Sequence, residues 1–194
     1  MSGPNLADVW PLSPLQEGLL FHALQDEQGM DIYVGGHVLG LEGPLDAGAL
    51  RAAGQAMVDR HAALRASFHQ MKSGRVVQVV ADRVVLPWRV EDVSGAADPE
   101  AAAGEVAAAE LGRRFDLAVA PLVRMLLVRL GEGRHRLVIT NHHILLDGWS
   151  LPVLMRELFA VYAAGGDAGG LPAVVPYREY LAWLGRLDRE AARE

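Results

Sequence analysis

The sequence of 194 residues contains no cysteine. That absence removes disulfides, thiolate metal sites, cysteine nucleophiles and any thioester carried on the chain itself, and it suits a reducing compartment. No apolar run approaches the ~20 residues a membrane span requires. The opening Met1-Ser2-Gly3-Pro4-Asn5 has neither a basic region nor an apolar core. A cytoplasmic, soluble chain with no membrane partner is expected. Basic residues are also scarce: 18 Lys and Arg stand against 24 Asp and Glu, a formal net charge of −6. No stretch gathers them into a nucleic-acid surface, so nucleic acid is not expected as a partner. Missing too are a glycine-rich phosphate loop, a G-x-S-x-G elbow and the helical histidine spacing of zinc proteases. Neither a metal nor a bound cofactor is expected.

What remains is an ordinary globular composition, 51% hydrophobic and 22% charged, enough for one domain or a large subdomain with its own core. Ser13-Pro14-Leu15-Gln16 predicts a helix start, with a serine cap, proline in the first turn and glutamine completing a capping box. Leu15, Leu19 and Ala23 form its expected buried stripe. An extended stretch follows over Ile32 to Leu41. Asp46 then caps a helix with Leu50, Ala53, Met57 and Val58 on one face, ending near His61. Ala66 to Gln70 and Val76 to Val80 read as a hairpin about Lys72-Ser73-Gly74, and a short strand surrounds Trp88.

Asp98-Pro99 opens an alanine-rich scaffold helix that runs to about Arg114. Leu122 to Leu130 and His135 to Asn141 form a second hairpin through Gly131-Glu132-Gly133. Ser150 and Pro152 begin a helix with Leu151, Leu154, Met155, Leu158 and Tyr162 on one face, stopped by Gly165-Gly166. Tyr177, Tyr180, Leu181, Leu184 and Leu187 mark a last amphipathic helix. Intermixed helices and hairpins predict an α+β fold, a two-layer sandwich of a mixed, largely antiparallel sheet with helices.

Chemistry concentrates in His142-His143-Ile144-Leu145-Leu146-Asp147-Gly148, at the end of the second hairpin. Neighbouring strand residues point to opposite faces, so the two histidines cannot serve one reacting group or clasp one metal. A buried Asp147 requires a cation or several donors. The arginine best placed by sequence is Arg65, which enters the sheet after Arg60-His61-Ala62-Ala63-Leu64. A straight strand separates His143 from Asp147 by about 13 Å, so Asp147 reads as structural, and Asp147→Asn is expected to weaken folding before chemistry.

The segment with its Trp149-Ser150 continuation resembles the HHxxxDG signature of nonribosomal peptide synthetase condensation domains. Leu12-Ser13-Pro14-Leu15-Gln16-Glu17-Gly18-Leu19-Leu20-Phe21-His22 is similar to that family's first motif. Arg60-His61-Ala62-Ala63-Leu64-Arg65-Ala66-Ser67-Phe68 is similar to the second. Arg113-Arg114-Phe115-Asp116-Leu117, Pro121-Leu122 and Pro176-Tyr177-Arg178-Glu179-Tyr180 also fit, so the resemblance covers essentially the whole chain.

The resemblance implies half of a chloramphenicol acetyltransferase-like fold. Residues 1–175 correspond to the N-terminal lobe, and 176–194 to the helix leading toward a C-terminal lobe. It implies peptide-bond formation between two thioesters presented on the phosphopantetheine of donor and acceptor peptidyl carrier proteins. His143 is implied as the catalytic residue, supported by His142, Gly148 and an Asp147–Arg65 pair. Cyclisation domains carry aspartates in place of the histidines, and epimerisation domains usually lack the Gly-Trp continuation. The first motif looks most like the subtype joining an L-donor to an L-acceptor. Two other readings share the motif: a coenzyme A-dependent acyltransferase completed by oligomerisation, and a noncatalytic lobe that docks a carrier protein.

Overall fold

A computed structural model of the chain describes residues 5–25 and 31–191. The outer ends of the expected lobe and helix, residues 1–4 and 192–194, lie outside the described residues. In chain order the elements are β1 (Leu6–Trp10), α1 (Pro14–Gln25), β2 (Val34–Glu42), α2 (Ala47–Arg60), a 3₁₀ turn (Ala62–Arg65), β3 (Ala66–Gln70), β4 (Val76–Ala81), β5 (Trp88–Asp92), α3 (Pro99–Leu111), β6 (Val123–Gly131), β7 (Arg134–His142), α4 (Ser150–Ala163) and α5 (Tyr177–Ala191). The strands form two sheets, ordered β1-β4-β3 and β2-β7-β6-β5. Every pair is antiparallel except β5 with β6, which run parallel.

β6 explains the layering. Its residues Val123 to Val128 are buried without interruption, so both faces of the central strand are covered. Met125 and Leu127 pack with Leu50, Met57, Leu154 and Leu158, which places α2 and α4 on one face. Leu126 and Val128 pack with Ala103 and Ala107 of α3 on the other. The α+β class is as expected. A single two-layer sandwich understates it, because the strands divide between two sheets and the larger has helices on both sides. The alanine-rich α3 makes that second layer possible, since small side chains let the helix sit close to the sheet.

Capping follows the sequence. Ser13 Oγ accepts from the Gln16 N–H at 3.2 Å, and Gln16 Oε1 accepts from the Ser13 N–H at 3.0 Å, which completes the capping box. Asp46 and Asp98 accept from the amides of Ala49 and Ala101 and start α2 and α3. At the end of α4, Gly165 and Gly166 adopt φ of +67° and +99°, the left-handed cap that a side chain resists.

Two amphipathic stripes differ from expectation. Leu15 is 66% exposed, and α1 buries Gln16 and Leu20 instead. The capping box turns Gln16 inward, and Leu15 then falls on the outer face. Among the described side chains of α5, Leu181 is buried against Trp10, Ala66 and Val80, while Tyr180, Trp183 and Leu187 remain exposed.

Candidate active site

The β2–β7 ladder delivers the histidine pair. Its last pairing sets Val34 opposite His142, where β7 ends. His142 N–H donates to Leu122 O at 3.0 Å and His143 N–H to Tyr33 O at 2.8 Å, so consecutive amides point to different neighbours. The side chains diverge accordingly: His142 is fully buried, and His143 is exposed in the turn that follows.

His142 belongs to the framework. Its Nδ1 accepts the Ile144 N–H at 3.1 Å, which leaves the proton on Nε2, and Nε2 lies 3.4 Å from Asp31 Oδ2. Burial holds this imidazole below its ordinary pKa, and the Asp31 charge opposes the shift only in part. A neutral ring is what this setting stabilises. Asp31 is itself fixed by the Tyr33 N–H on Oδ1 at 3.0 Å.

His143 is arranged the other way round. Its Nδ1 lies 3.2 Å from Leu146 O. A carbonyl oxygen can only accept, so Nδ1 carries a proton, and in the neutral ring Nε2 presents a lone pair. That is the tautomer a proton acceptor needs. His143 lines a cavity of about 390 Å³ together with Ser13 and Gln16 of the α1 cap, Asp147, and Tyr177 and Leu184 of α5.

Because the chain turns twice between His143 and Ser150, His143 and Asp147 share this cavity and are not spread along a straight strand. Asp147 Oδ1 accepts the Ser150 N–H at 2.8 Å and the Ser150 hydroxyl at 2.6 Å. The carboxylate thus satisfies the first amide of α4, in the manner of an N-cap. The Ser150 hydroxyl foremost holds its pKa below the usual carboxylate value. Gly148 sits exposed in the second of these turns with open space around it.

The expected pairing of Asp147 with Arg65 is not formed. Arg65 Nε donates to Ala81 O at 2.9 Å, and Nη1 to Val58 O at 2.8 Å and Asp59 O at 2.6 Å. The guanidinium ties the C-terminal end of α2 to the end of β4. The reason is exposure: Asp147 lies at the surface and takes its donors from a helix N-terminus, so it has no need of a buried cation.

Residues that sequence alone does not single out complete the setting. Buried Gln16 extends beyond its capping role, and its Nε2 donates to Ile144 O at 3.0 Å, immediately after His143. Gln16 also exchanges hydrogen bonds with Gln78, whose Nε2 reaches Pro11 O at 2.7 Å. Two buried amides joining two elements are visible in sequence only as an unexceptional capping glutamine and an alternating strand. Asp31 carries no local signal, because its partner His142 lies on a strand, distant in sequence, that the ladder brings alongside.

Comparison with known proteins agrees with this geometry. The sequence model described as "Condensation domain" matches residues 6–194. The chain is 37% identical over 200 residues to one protein of the linear gramicidin synthase of Brevibacillus parabrevis, covering 98% of this chain and 2% of the relative. It is 34% identical over 190 residues to bacitracin synthase 3 of Bacillus licheniformis, covering 96% of this chain and 3% of the relative. The chain thus spans a small part of these synthases. Among solved structures, the first condensation domain of the calcium-dependent antibiotic synthetase, in complex with a substrate analogue, superposes with a TM-score of 0.81 at 27% identity. That match covers 95% of this chain and 44% of the other, and the shared architecture is chloramphenicol acetyltransferase-like. With the HHxxxDG segment at the end of β7 and a match that runs from β1 through α5, the chain belongs to the condensation domain family of nonribosomal peptide synthetases.

Proposed function

We propose that this chain is the N-terminal lobe of a domain that forms a peptide bond between two aminoacyl or peptidyl thioesters, with His143 as its catalytic residue. The observation that carries the reading is the 3.2 Å contact of His143 Nδ1 with Leu146 O, in a residue that lines an open cavity, which leaves Nε2 of the neutral ring as the proton acceptor. In the reaction the acceptor's α-amine attacks the donor's thioester carbonyl, so a C–N bond forms and the C–S bond breaks. Nε2 takes the proton that the attacking nitrogen sheds and returns it to the departing sulfur, which leaves as the pantetheine thiol, so the imidazole ends as it began. No acyl-enzyme is needed, in keeping with a chain that has no cysteine.

A free α-amine has a pKa of roughly 7.7 to 8.0, so much of it is already neutral near pH 7.5. A strong base is therefore unnecessary. Proton acceptance by a positioned side chain is worth ~10²–10⁴-fold, and holding the reactants in attack geometry can contribute roughly 7 to 11 kcal/mol. His142, Asp147, Gly148 and Arg65 support this site through the backbone: His142 by fixing Ile144, Asp147 by starting α4, Gly148 by lying in the turn before that helix, and Arg65 by joining α2 to β4.

The partners in this reading are donor and acceptor peptidyl carrier proteins, which bring the substrates on phosphopantetheine, and a C-terminal lobe. The chain binds no cofactor of its own, works in the cytoplasm, and joins an L-donor to an L-acceptor. Residues 1–175 act as the lobe and 176–194 as the helix that leads to its counterpart. Three features support the second lobe: the solved relative is more than twice as long, Trp149 is 88% exposed, and α5 presents Tyr180, Trp183 and Leu187 outward. The test is condensation between two aminoacyl carrier proteins by this lobe joined to a C-terminal lobe. Abolition by His143→Ala supports the reading, and undiminished turnover removes it.

A further inference from the structure

β2 contains three glycines, at positions 35, 36 and 40, which is unusual for a strand because glycine weakens it. None of the three has a positive φ, so backbone conformation does not call for glycine at any of them. Space does at two. A methyl group on Gly36 would fall 1.9 Å from Leu111 Cδ2, within the packing of α3. A methyl group on Gly35 would fall 2.8 Å from His143 Nε2, 3.2 Å from its Cε1 and 3.5 Å from its Cδ2. At Gly40 it would meet nothing within 4 Å.

At Gly35 all three nearest atoms are ring atoms of the residue proposed to carry the chemistry. The 2.8 Å approach is shorter than Cβ contacts in proteins allow, so something must give. The backbone of residue 35 is held in the ladder opposite Asn141, whereas the imidazole belongs to an exposed side chain in a turn. The ring is the softer partner. Moving it strains or breaks the bond from Nδ1 to Leu146 O, the contact that selects the tautomer.

We propose that Gly35 is a positioning residue for the reaction: its bare Cα is the seat of the His143 imidazole, and Nε2 keeps its protonation state and aim because residue 35 has no side chain. The consequence for catalysis rests on the role given to His143 above; the seating does not. A displacement of about 1 Å at a reacting group can cost ~10²-fold in rate, and that is the loss expected in kcat for Gly35→Ala, with KM little changed.

The direct test is two-bond ¹H–¹⁵N correlation of the histidine side chains in the ¹⁵N-labelled chain. The parent should show His143 with Nδ1 protonated and Nε2 unprotonated. G35A should shift the His143 signals toward mixed tautomers, and G40A should leave them unchanged. His143 signals in G35A that match the parent's overturn the proposal. Should G35A melt too low for spectroscopy, the same substitution is made in an H143A background, where the ring is gone. Recovery of a folded melt there supports the seating, and an equal loss in both backgrounds overturns it. If His143→Ala leaves condensation intact while G35A still moves the ring, the functional reading fails and the seating stands.

Discussion

Replacing Arg65 and Asp147 by alanine, singly and together, separates the hydrogen-bond network observed from the ion pair that the family resemblance implies. Arg65→Ala removes a charged donor from three backbone carbonyls, two of them on the C-terminal turn of α2. Hydrogen bonds to charged groups contribute ~1.5–3 kcal/mol each. Since two of the three share Nη1 and one of those is exposed, the expected loss is about 2–4 kcal/mol. Asp147→Ala removes a helix cap, worth about 1 kcal/mol. The two changes touch different elements, so the double variant should lose about the sum, with a coupling under ~0.5 kcal/mol. A partly buried ion pair behaves differently: breaking it from either side costs roughly 3–5 kcal/mol and the second change adds little. Urea titration followed by tryptophan fluorescence reads this, with Trp10, Trp88, Trp149 and Trp183 as reporters. Asp147→Asn provides an internal check, because asparagine caps about as well as aspartate and should leave the midpoint nearly unchanged. That revises the expectation from sequence, in which Asp147→Asn weakens the fold. A coupling above about 1 kcal/mol, or a large loss in Asp147→Asn, would refute the network described.

His142→Ala leaves the buried Ile144 N–H without its acceptor and opens a cavity, so a loss of about 3 kcal/mol or more is expected in the same titration. The His142 pKa is lowered on folding, so its neutral form contributes stability that is complete above the unfolded value near 6.5 and is lost as pH falls toward the folded one. Urea midpoints between pH 8 and pH 5 should therefore fall more steeply in the parent than in His142→Gln; parallel curves contradict the assignment. Gln16→Ala should cost about 2–4 kcal/mol by stranding Ile144 O and Gln78, and a loss below about 0.5 kcal/mol would mean that the glutamine pair is incidental. Leu15→Ala should change stability by less than about 0.5 kcal/mol while Leu20→Ala costs roughly 2–5, because only Leu20 lies in the core.

Local rules make most elements legible. Asp46 and Asp98 announce their helices, Gly133 and Gly165 their turns, and the unbroken apolar run of β6 its central place. β1 is not legible, because five residues half exposed and bounded by Pro11 carry too little pattern to distinguish a strand from a lead-in. The exposed face of α5 also misleads: its leucines and aromatics have the period of a buried helix, yet among the described side chains Leu181 and Tyr177 pack into a core while Tyr180, Trp183 and Leu187 stay exposed. At the site, the motif locates His143, and strand alternation separates it from His142. The partners of each histidine are not legible, because Leu146 O and the Ile144 N–H become available only when the chain turns after β7. Arg65 shows the converse risk. The resemblance supplies a partner for Asp147, but exposure of Asp147 and the backbone carbonyls of α2 offer each member of that pair something nearer.

The most direct test of the central claim is the pH–rate profile of condensation for the lobe joined to its counterpart, in the parent, His143→Ala and His143→Gln. If Nε2 accepts the proton in the rate-limiting step, both variants should lose ~10²-fold or more in kcat across the profile, while the acidic limb set by protonation of the acceptor amine remains. Parent-like rates in either variant would contradict the account.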